Sequence, residues 1–294
     1  MSSPEQVIDQ AESGAESPLR ETARMFFRNY AAVVGLVILV TVLLTALFGP
    51  YVYPVDPFEI VWAPLAPPGE EGFLLGTDYL GRDLVAGIVY GGRATLAVGV
   101  SAALITVTIG ITVGALAGFY RGWVEEVLMR ITEFFQVLPT LLFAMVLVAL
   151  FGASLTMIAI AIGIVSWTGV ARLARSEFLK LRELEYVKAA RAVGASNGRI
   201  IWRVILPNAL PPLIVQSALI VGVAILFESG LSFLGLGDPN TMSWGLMLGS
   251  NRDYILEAWW AVTFPGFVIF LTVLSISLIG DGLNDALNPK LRER

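Results

Sequence analysis

The sequence predicts an all-α, polytopic membrane protein with six transmembrane helices. Charged residues make up only 15 % of its 294 residues, whereas hydrophobic residues make up 56 %. Five long stretches carry no charge at all, and basic residues collect in the segments between alternate stretches. Backbone N–H and C=O groups inside lipid need partners within their own element, so these stretches are expected to be helices.

The uncharged stretches define the expected spans. They are 30–48, 94–120, 134–171, 204–227 and 258–280. A helix needs about 20 apolar residues to cross a hydrocarbon layer of roughly 30 Å, so the stretch of 38 residues from Phe134 to Ala171 is too long for one crossing. The sequence Phe151-Gly152-Ala153-Ser154 supplies a turn inside it. Six spans result, at approximately 30–48, 94–120, 134–151, 155–172, 208–230 and 259–280.

The remaining segments complete the predicted organisation. Residues 1–21 are polar, acidic and rich in serine, which is typical of a disordered tail, and residues 22–294 form one membrane domain. Segments 49–93 and 229–257 are the two large outer loops, and the first is rich in proline. Segment 172–207 is the large inner loop.

The distribution of lysine and arginine predicts the orientation. With both termini in the cytoplasm, all but three of the 19 basic residues lie on the cytoplasmic side, in agreement with the positive-inside rule. The three exceptions are Arg82, Arg93 and Arg252. Because the basic residues are spread over several inner segments and the net charge is −5, no nucleic-acid surface is expected.

The inner loop contains a pattern that charge bias alone does not explain. A short helix is predicted from Glu185, followed by Gly194 at the position where a helix end favours a left-handed residue, and Ser196 can cap the next helix. A helix of about nine residues is too short to be stable alone. The pattern therefore predicts a helix that docks onto a partner.

This loop resembles the EAA loop of ABC importer permeases, whose pattern is Glu-Ala-Ala, three residues, Gly, nine residues, Ile-x-Leu-Pro. The stretch "AARAVGASNGRIIWRVILP" matches it at Ala189, Ala190, Gly194 and Leu206-Pro207. Two positions differ, since Lys188 occupies the Glu position and Val204 the Ile position. Glu185, one turn before Lys188, can take the place of the missing acid.

Further blocks resemble the C-type permease subunit of the dipeptide, oligopeptide and nickel ABC importer family. They are "LGTDYLGRD" (75–83), "GGRATL" (91–96), "SFLGLG" (232–237), "SWG" (243–245) and "GDGLNDALNPKL" (280–291). The resemblance implies a type I ABC importer permease fold, a location in the cell membrane and a role in peptide import. It also implies that the inner loop couples to ATPases through the residues Glu185, Lys188, Ala189, Ala190, Arg191, Gly194, Ala195 and Ser196.

The same resemblance implies the partners. They are a B-type permease homologue, two cytoplasmic ABC ATPases and an extracytoplasmic substrate-binding protein. The chain contains no G-x-x-x-x-G-K-[ST] phosphate-binding loop, so ATP and Mg²⁺ are expected on the ATPases. Without cysteine or histidine, thiol catalysis, Ser-His-Asp relays and the usual zinc sites are excluded, and no cofactor, metal site or enzymatic activity is expected for this chain.

Two sets of polar residues outside the inner loop are candidate functional residues. Glu228 is an ionisable residue near the outer end of the fifth span, so it is a candidate for the substrate path, although a place near headgroup water is the alternative. Asp78, Arg82 and Asp83 in the first outer loop are candidates for contact with the binding protein. The alternative for Asp78 and Arg82 is a short self-paired helix.

Three other functions remain open at this stage. Nickel, opines or sugars are alternative substrates for an importer of the same class. A proton-driven secondary transporter would need several intramembrane acids, and one glutamate does not form a relay. The "GLGD" stretch (235–238) is similar to an intramembrane aspartyl protease motif, but the long uncharged stretch supplies no second aspartate.

Overall fold

The computed structural model describes residues 18–287. Within these residues the chain is helical and forms no strand, only two isolated bridges in the first outer loop. The principal helices are α1 (Pro18–Arg28), α2 (Tyr30–Val52), α3 (Leu84–Tyr120), α4 (Gly122–Val137), α5 (Thr140–Phe151), α6 (Leu155–Ser166), α7 (Thr168–Leu181), α8 (Glu185–Ala192), α9 (Asn197–Leu236), α10 (Trp244–Asn251) and α11 (Trp259–Leu287).

Four of these helices, α2, α3, α9 and α11, are long and apolar enough to cross a membrane. The pairs α4–α5 and α6–α7 raise the number to six if each bent pair is one span, with bends of 85° and 45°. The predicted third and fourth spans are therefore each two helices. At the sharper bend Leu138 is extended (φ −72°, ψ 130°), because the ring of Pro139 disfavours helical backbone at the residue before it.

Helix α3 is the central element of the bundle and packs against α6, α7 and α9. Its inner half contacts α7 through small residues that allow close backbone approach. A methyl group at Gly114 would lie 2.2 Å from the Ala171 carbonyl oxygen, and one at Gly118 would lie 2.7 Å from the Arg175 carbonyl oxygen. Any larger residue at either position would force α3 and α7 apart.

Within the described residues, buried side chains form three large clusters and a small fourth one between α3, α7 and α9. The outer cluster joins α3, α9, α10 and α11 around Trp244, which is 2 % exposed. The inner cluster joins the ends of α3 and α7 to α8 and the start of α9, around Phe178 and Val187. The third large cluster holds α5 and α6 against α3 and α9.

Several predicted boundaries differ from the structure. Residues 1–17 of the predicted tail lie outside the described residues, but Pro18–Glu21 belong to α1, because this amphipathic helix packs against α11. The second span begins at Leu84 rather than at residue 94, so that Arg93 lies inside α3. The third span starts 12 residues before its predicted beginning, the fourth ends nine residues beyond its predicted end, and the fifth is 40 residues long, Asn197–Leu236.

The position of Arg93 inside α3 has a structural explanation. Pro50 lies within α2 and has no N–H, so the Ala46 carbonyl four residues earlier lacks its helical donor. The Arg93 Nε donates to this carbonyl oxygen at 2.8 Å, and Nη2 donates to the Leu47 carbonyl oxygen at 2.7 Å. Arg93 thus donates hydrogen bonds to backbone carbonyls at the point where Pro50 interrupts the hydrogen-bond pattern of α2.

Candidate functional site

The predicted docking helix is present as α8, Glu185–Ala192. Its end forms a Schellman motif, in which the Ala195 N–H bonds the Ala190 carbonyl and the Gly194 N–H bonds the Arg191 carbonyl. Gly194 has the predicted left-handed conformation, with φ +82°. Ser196 caps the following turn, its hydroxyl accepting the Arg199 N–H at 3.4 Å. The predicted end of α8 at Gly194 and the predicted start of the next helix at Ser196 are both confirmed.

One side of α8 is fixed to the inner cluster. The Val187 side chain is fully buried among apolar residues of α3, α7 and α9. The Arg191 guanidinium lies over the Phe119 ring, 5.8 Å from its centroid, and Arg182 just before α8 donates to the Phe119 carbonyl. These contacts attach α8 to the inner end of α3, where Phe119 lies.

The other side of α8 faces away from the bundle. Val193 is 84 % exposed, and Tyr186 and Ala189 are exposed beside it. Lys188 and Glu185 form an exposed ion pair of 3.1 Å on the same helix, so the lysine in the usual Glu position has its own acidic partner. The exposed side of α8 is therefore a small surface with both apolar and charged residues at the inner end of the bundle.

Glu228 lies in α9 and is 0 % exposed. Its Oε1 accepts hydrogen bonds from the hydroxyls of Ser243 at 2.8 Å and Ser232 at 3.0 Å, and its Oε2 accepts one from Ser229 at 3.4 Å. The carboxyl group is therefore not exposed to water in this conformation, and its position relative to the headgroups stays a prediction. The role of Glu228 in the substrate path stays a prediction, and in this conformation its carboxyl group is enclosed by the chain itself.

These hydrogen bonds connect three helices at the outer end of the bundle. Ser243 caps α10, and the Trp244 N–H donates to the Thr95 hydroxyl at 3.1 Å. The Trp244 indole N–H donates to the Ile88 carbonyl at 2.9 Å. Sequence reasoning recognised Ser243 and Trp244 within the "SWG" block but missed their connection to Glu228. The available sequence signal was the pair Ser243-Trp244 in the segment that follows Glu228, because a serine can cap a helix there.

The outer-loop candidates are mostly engaged within the chain. Asp78 and Asp83 are 6 % and 2 % exposed. Asp78 Oδ1 accepts the N–H groups of Leu80 and Arg82, each at 2.8 Å, and burial raises the pKa of this carboxyl although these donors lower it. Residues 77–83 form a turn, so the alternative of a short helix is wrong, because Gly81 with φ +83° interrupts any helical run.

Asp83 caps the start of α3, its Oδ1 accepting the Val85 N–H at 2.7 Å. The Tyr53 hydroxyl donates to the other oxygen of Asp83, which raises the pKa of Tyr53 to about 12. Arg82 is the most accessible of the three candidates, and its guanidinium lies 5.1 Å from the Phe58 ring centroid. Contact of this set with a binding protein stays a prediction, in which Arg82 would be the direct contact.

Comparison with known proteins identifies the family. A profile described as "Binding-protein-dependent transport system inner membrane component" matches residues 110–293. One described as "N-terminal TM domain of oligopeptide transport permease C" matches residues 17–68. The chain belongs to this family of inner membrane transport components. It is therefore a multi-pass membrane permease subunit of an ABC importer, as the sequence predicted.

Curated relatives of this permease cover nearly all of it. The Di/tripeptide transport system permease protein DppC of Pseudomonas aeruginosa is 44 % identical over 94 % of this chain and 93 % of that protein. The Oligopeptide transport system permease protein OppC of Haemophilus influenzae is 40 % identical over 98 % and 94 %. The Dipeptide transport system permease protein DppC of Bacillus subtilis is 41 % identical over 92 % and 85 %.

The fold of this permease is also found in a solved importer. A chain of the MetNI methionine ABC transporter in an inward-facing conformation superposes with a TM-score of 0.57 at 19 % identity. The match covers 69 % of this permease and 96 % of that chain. At this identity the similarity establishes the fold and confirms the predicted all-α importer permease architecture.

Proposed function

We propose that this permease imports di- and oligopeptides, as part of a complex with a B-type permease homologue, two cytoplasmic ABC ATPases and an extracytoplasmic binding protein. The names of the curated relatives support the substrate class. Both termini lie in the cytoplasm in this proposal, which places α8 beside the ATPases. ATP and Mg²⁺ bind to the ATPases, and this chain provides half of the path.

The observation that carries the coupling role is the two-sided character of α8. Its buried side is fixed to α3 by Val187 and by the Arg191–Phe119 contact, whereas Val193 and Tyr186 are exposed on the other side. An ATPase that grips the exposed side can therefore move the inner end of α3. For ATP to shift the permease between states, the ATPase must bind α8 differently in each state.

Replacement of Gly194 by tryptophan tests this role. The chain leaves open space around Gly194, but a left-handed backbone costs a non-glycine residue about 1–2 kcal/mol. We expect Gly194→Trp to leave the complex assembled while ATP hydrolysis no longer drives peptide uptake in proteoliposomes. The measurement is the ratio of peptide imported to ATP hydrolysed, together with co-purification of all subunits.

A control separates conformational strain from added bulk. Gly198 also has open space around it, but its backbone is not left-handed, so Gly198→Trp adds the same side chain without strain. We expect this variant to keep a higher coupling ratio than Gly194→Trp. Normal coupled uptake by Gly194→Trp would refute the coupling role, and failure of the unmodified complex to import peptides while coupling to another substrate would refute only the substrate class.

A further inference from the structure

Helix α1 presents a basic face next to the first span. Its three arginines, Arg20, Arg24 and Arg28, are exposed and follow one another at intervals of four residues. At 3.6 residues per turn they lie within about 80° of one another around the helix. Phe27 is 60 % exposed and lies at the edge of the same face. Cationic side chains and an aromatic ring thus share the outward side of one amphipathic helix.

The opposite side of α1 is fixed against the end of α11. The Phe26 ring packs at Gly282, where a methyl group would lie 3.2 Å from the nearest ring carbon. Asn29, the single residue between α1 and α2, caps α2 by accepting the Ala32 N–H at 3.2 Å. Its Nδ2 donates to Asp285 Oδ2 at 3.1 Å. These contacts hold α1 close to the start of α2 and to the end of α11.

We propose that this face binds the phosphate headgroups of anionic phospholipids. A guanidinium group forms paired hydrogen bonds with phosphate oxygens, and a juxtamembrane cluster of basic residues is attracted to an anionic lipid surface. Phe27, and Tyr30 at the first turn of α2 (88 % exposed), have the aromatic character that favours the region between headgroups and acyl chains. Because α1 is attached to α11, bound lipid would also hold the inner end of α11.

An anionic lipid surface explains the face better than a protein partner. The arginine side chains are long and flexible, and an exposed aromatic residue, Phe27, lies at the edge of their face. The exposed side of α8, in contrast, has the small and apolar residues that permit close packing. A lipid site at α1 does not depend on which substrate the permease carries, or on which side of the membrane α1 lies.

A label on α1 can measure the lipid composition around it. The chain contains no cysteine, so Ala23→Cys, on the exposed side of α1, gives the full-length permease one site for a fluorophore. The labelled protein is placed in nanodiscs of phosphatidylcholine mixed with phosphatidylglycerol, and either lipid carries a quencher near its headgroup. The ratio of the two quenching efficiencies reports the enrichment of phosphatidylglycerol at α1.

We expect phosphatidylglycerol to be enriched at α1, and the enrichment to fall at least about fivefold when all three arginines are replaced by glutamine. A control variant with Arg121→Gln, Arg130→Gln and Lys180→Gln removes the same charge from exposed basic residues elsewhere in the chain. This control should keep the enrichment. Higher salt should reduce the enrichment for the unmodified sequence. This measurement does not depend on whether the arginine variant folds.

Three outcomes would overturn the proposal. The first is equal quenching by the two lipids, and the second is equal loss of enrichment in the control variant. The third is loss of another subunit of the purified complex in pure phosphatidylcholine when the α1 arginines are replaced, because it would show that the face contacts a protein. None of these results depends on uptake, so they are distinct from failure of the proposed transport function.

Discussion

The outer network around Glu228 and the inner helix α8 use polar residues in opposite ways. At the outer end, Glu228 is buried and its carboxyl oxygens accept hydrogen bonds from the hydroxyls of Ser229, Ser232 and Ser243. At the inner end, Glu185 and Lys188 pair with each other on the exposed side of α8. The outer network connects helices of the same chain, whereas α8 has an exposed surface that we propose binds an ATPase. Residues in the first region should determine stability, and those in the second should determine coupling.

The largest effect is expected from removal of the Glu228 carboxyl group. Glu228→Ala leaves the buried hydroxyls of Ser232 and Ser243 without their acceptor, at a cost of about 1–3 kcal/mol for each. We therefore expect the free energy of unfolding of the purified permease to fall by about 2–5 kcal/mol. Thermal unfolding in detergent, followed by circular dichroism or intrinsic tryptophan fluorescence, measures the change.

Glu228→Gln serves as the matched variant, because its amide oxygen can accept the same two hydrogen bonds. It should remain close to the unmodified protein in stability. Glu257→Ala removes an exposed carboxyl from the second outer loop and should have little effect. If Glu228→Ala were as stable as Glu257→Ala, the outer network would not be structural. If Glu228→Gln instead lowered the affinity for peptides at unchanged stability, the substrate-path prediction would be supported.

An intermediate effect is expected at the contact between α2 and α3. Arg93→Gln removes the donors to the Ala46 and Leu47 carbonyl oxygens, and hydrogen bonds to charged groups contribute about 1.5–3 kcal/mol. Pro50→Ala restores the N–H that the Ala46 carbonyl lacks. We expect Arg93→Gln to destabilise the permease less in the Pro50→Ala background than in the unmodified sequence.

The double-mutant cycle of these two changes measures the coupling directly, with an expected interaction of about 1 kcal/mol between the two sites. The four proteins are compared by thermal unfolding under one set of conditions. Strictly additive effects would mean that Arg93 does not compensate for Pro50. In that case the basic residue in α3 would require another explanation, and the outer region would be less tightly connected than the Glu228 network suggests.

The smallest effect on stability is expected at Val193, after α8. This side chain is already in contact with solvent, so Val193→Asp should change the free energy of unfolding by less than about 0.5 kcal/mol. The same change places a charge on the surface proposed to bind an ATPase, so co-purification of the ATPases should fall. Leu256→Asp makes a similar change at a residue that is 97 % exposed in the second outer loop and should leave the ATPases bound.

The sequence alone determined much of the architecture, because its signals are local. Long uncharged stretches require helices in lipid, and each is visible without knowledge of its neighbours. The end of α8 was predictable for the same reason, since Gly194 and Ser196 act on backbone groups only a few residues away. The spacing of residues around Gly194 also indicated the family, which the comparisons confirmed.

Only the tertiary structure decided the environment of the remaining candidates. Glu228 and Ser243 are 15 residues apart and meet because α10 folds back onto α9, and Arg93 reaches carbonyls 46 and 47 positions away. Hydrogen bonds over such distances depend on how helices pack, and no periodicity in a single sequence records this. Local sequence signals therefore fixed the spans and the short helix α8, whereas the packing of helices fixed which polar residues are buried and which are exposed.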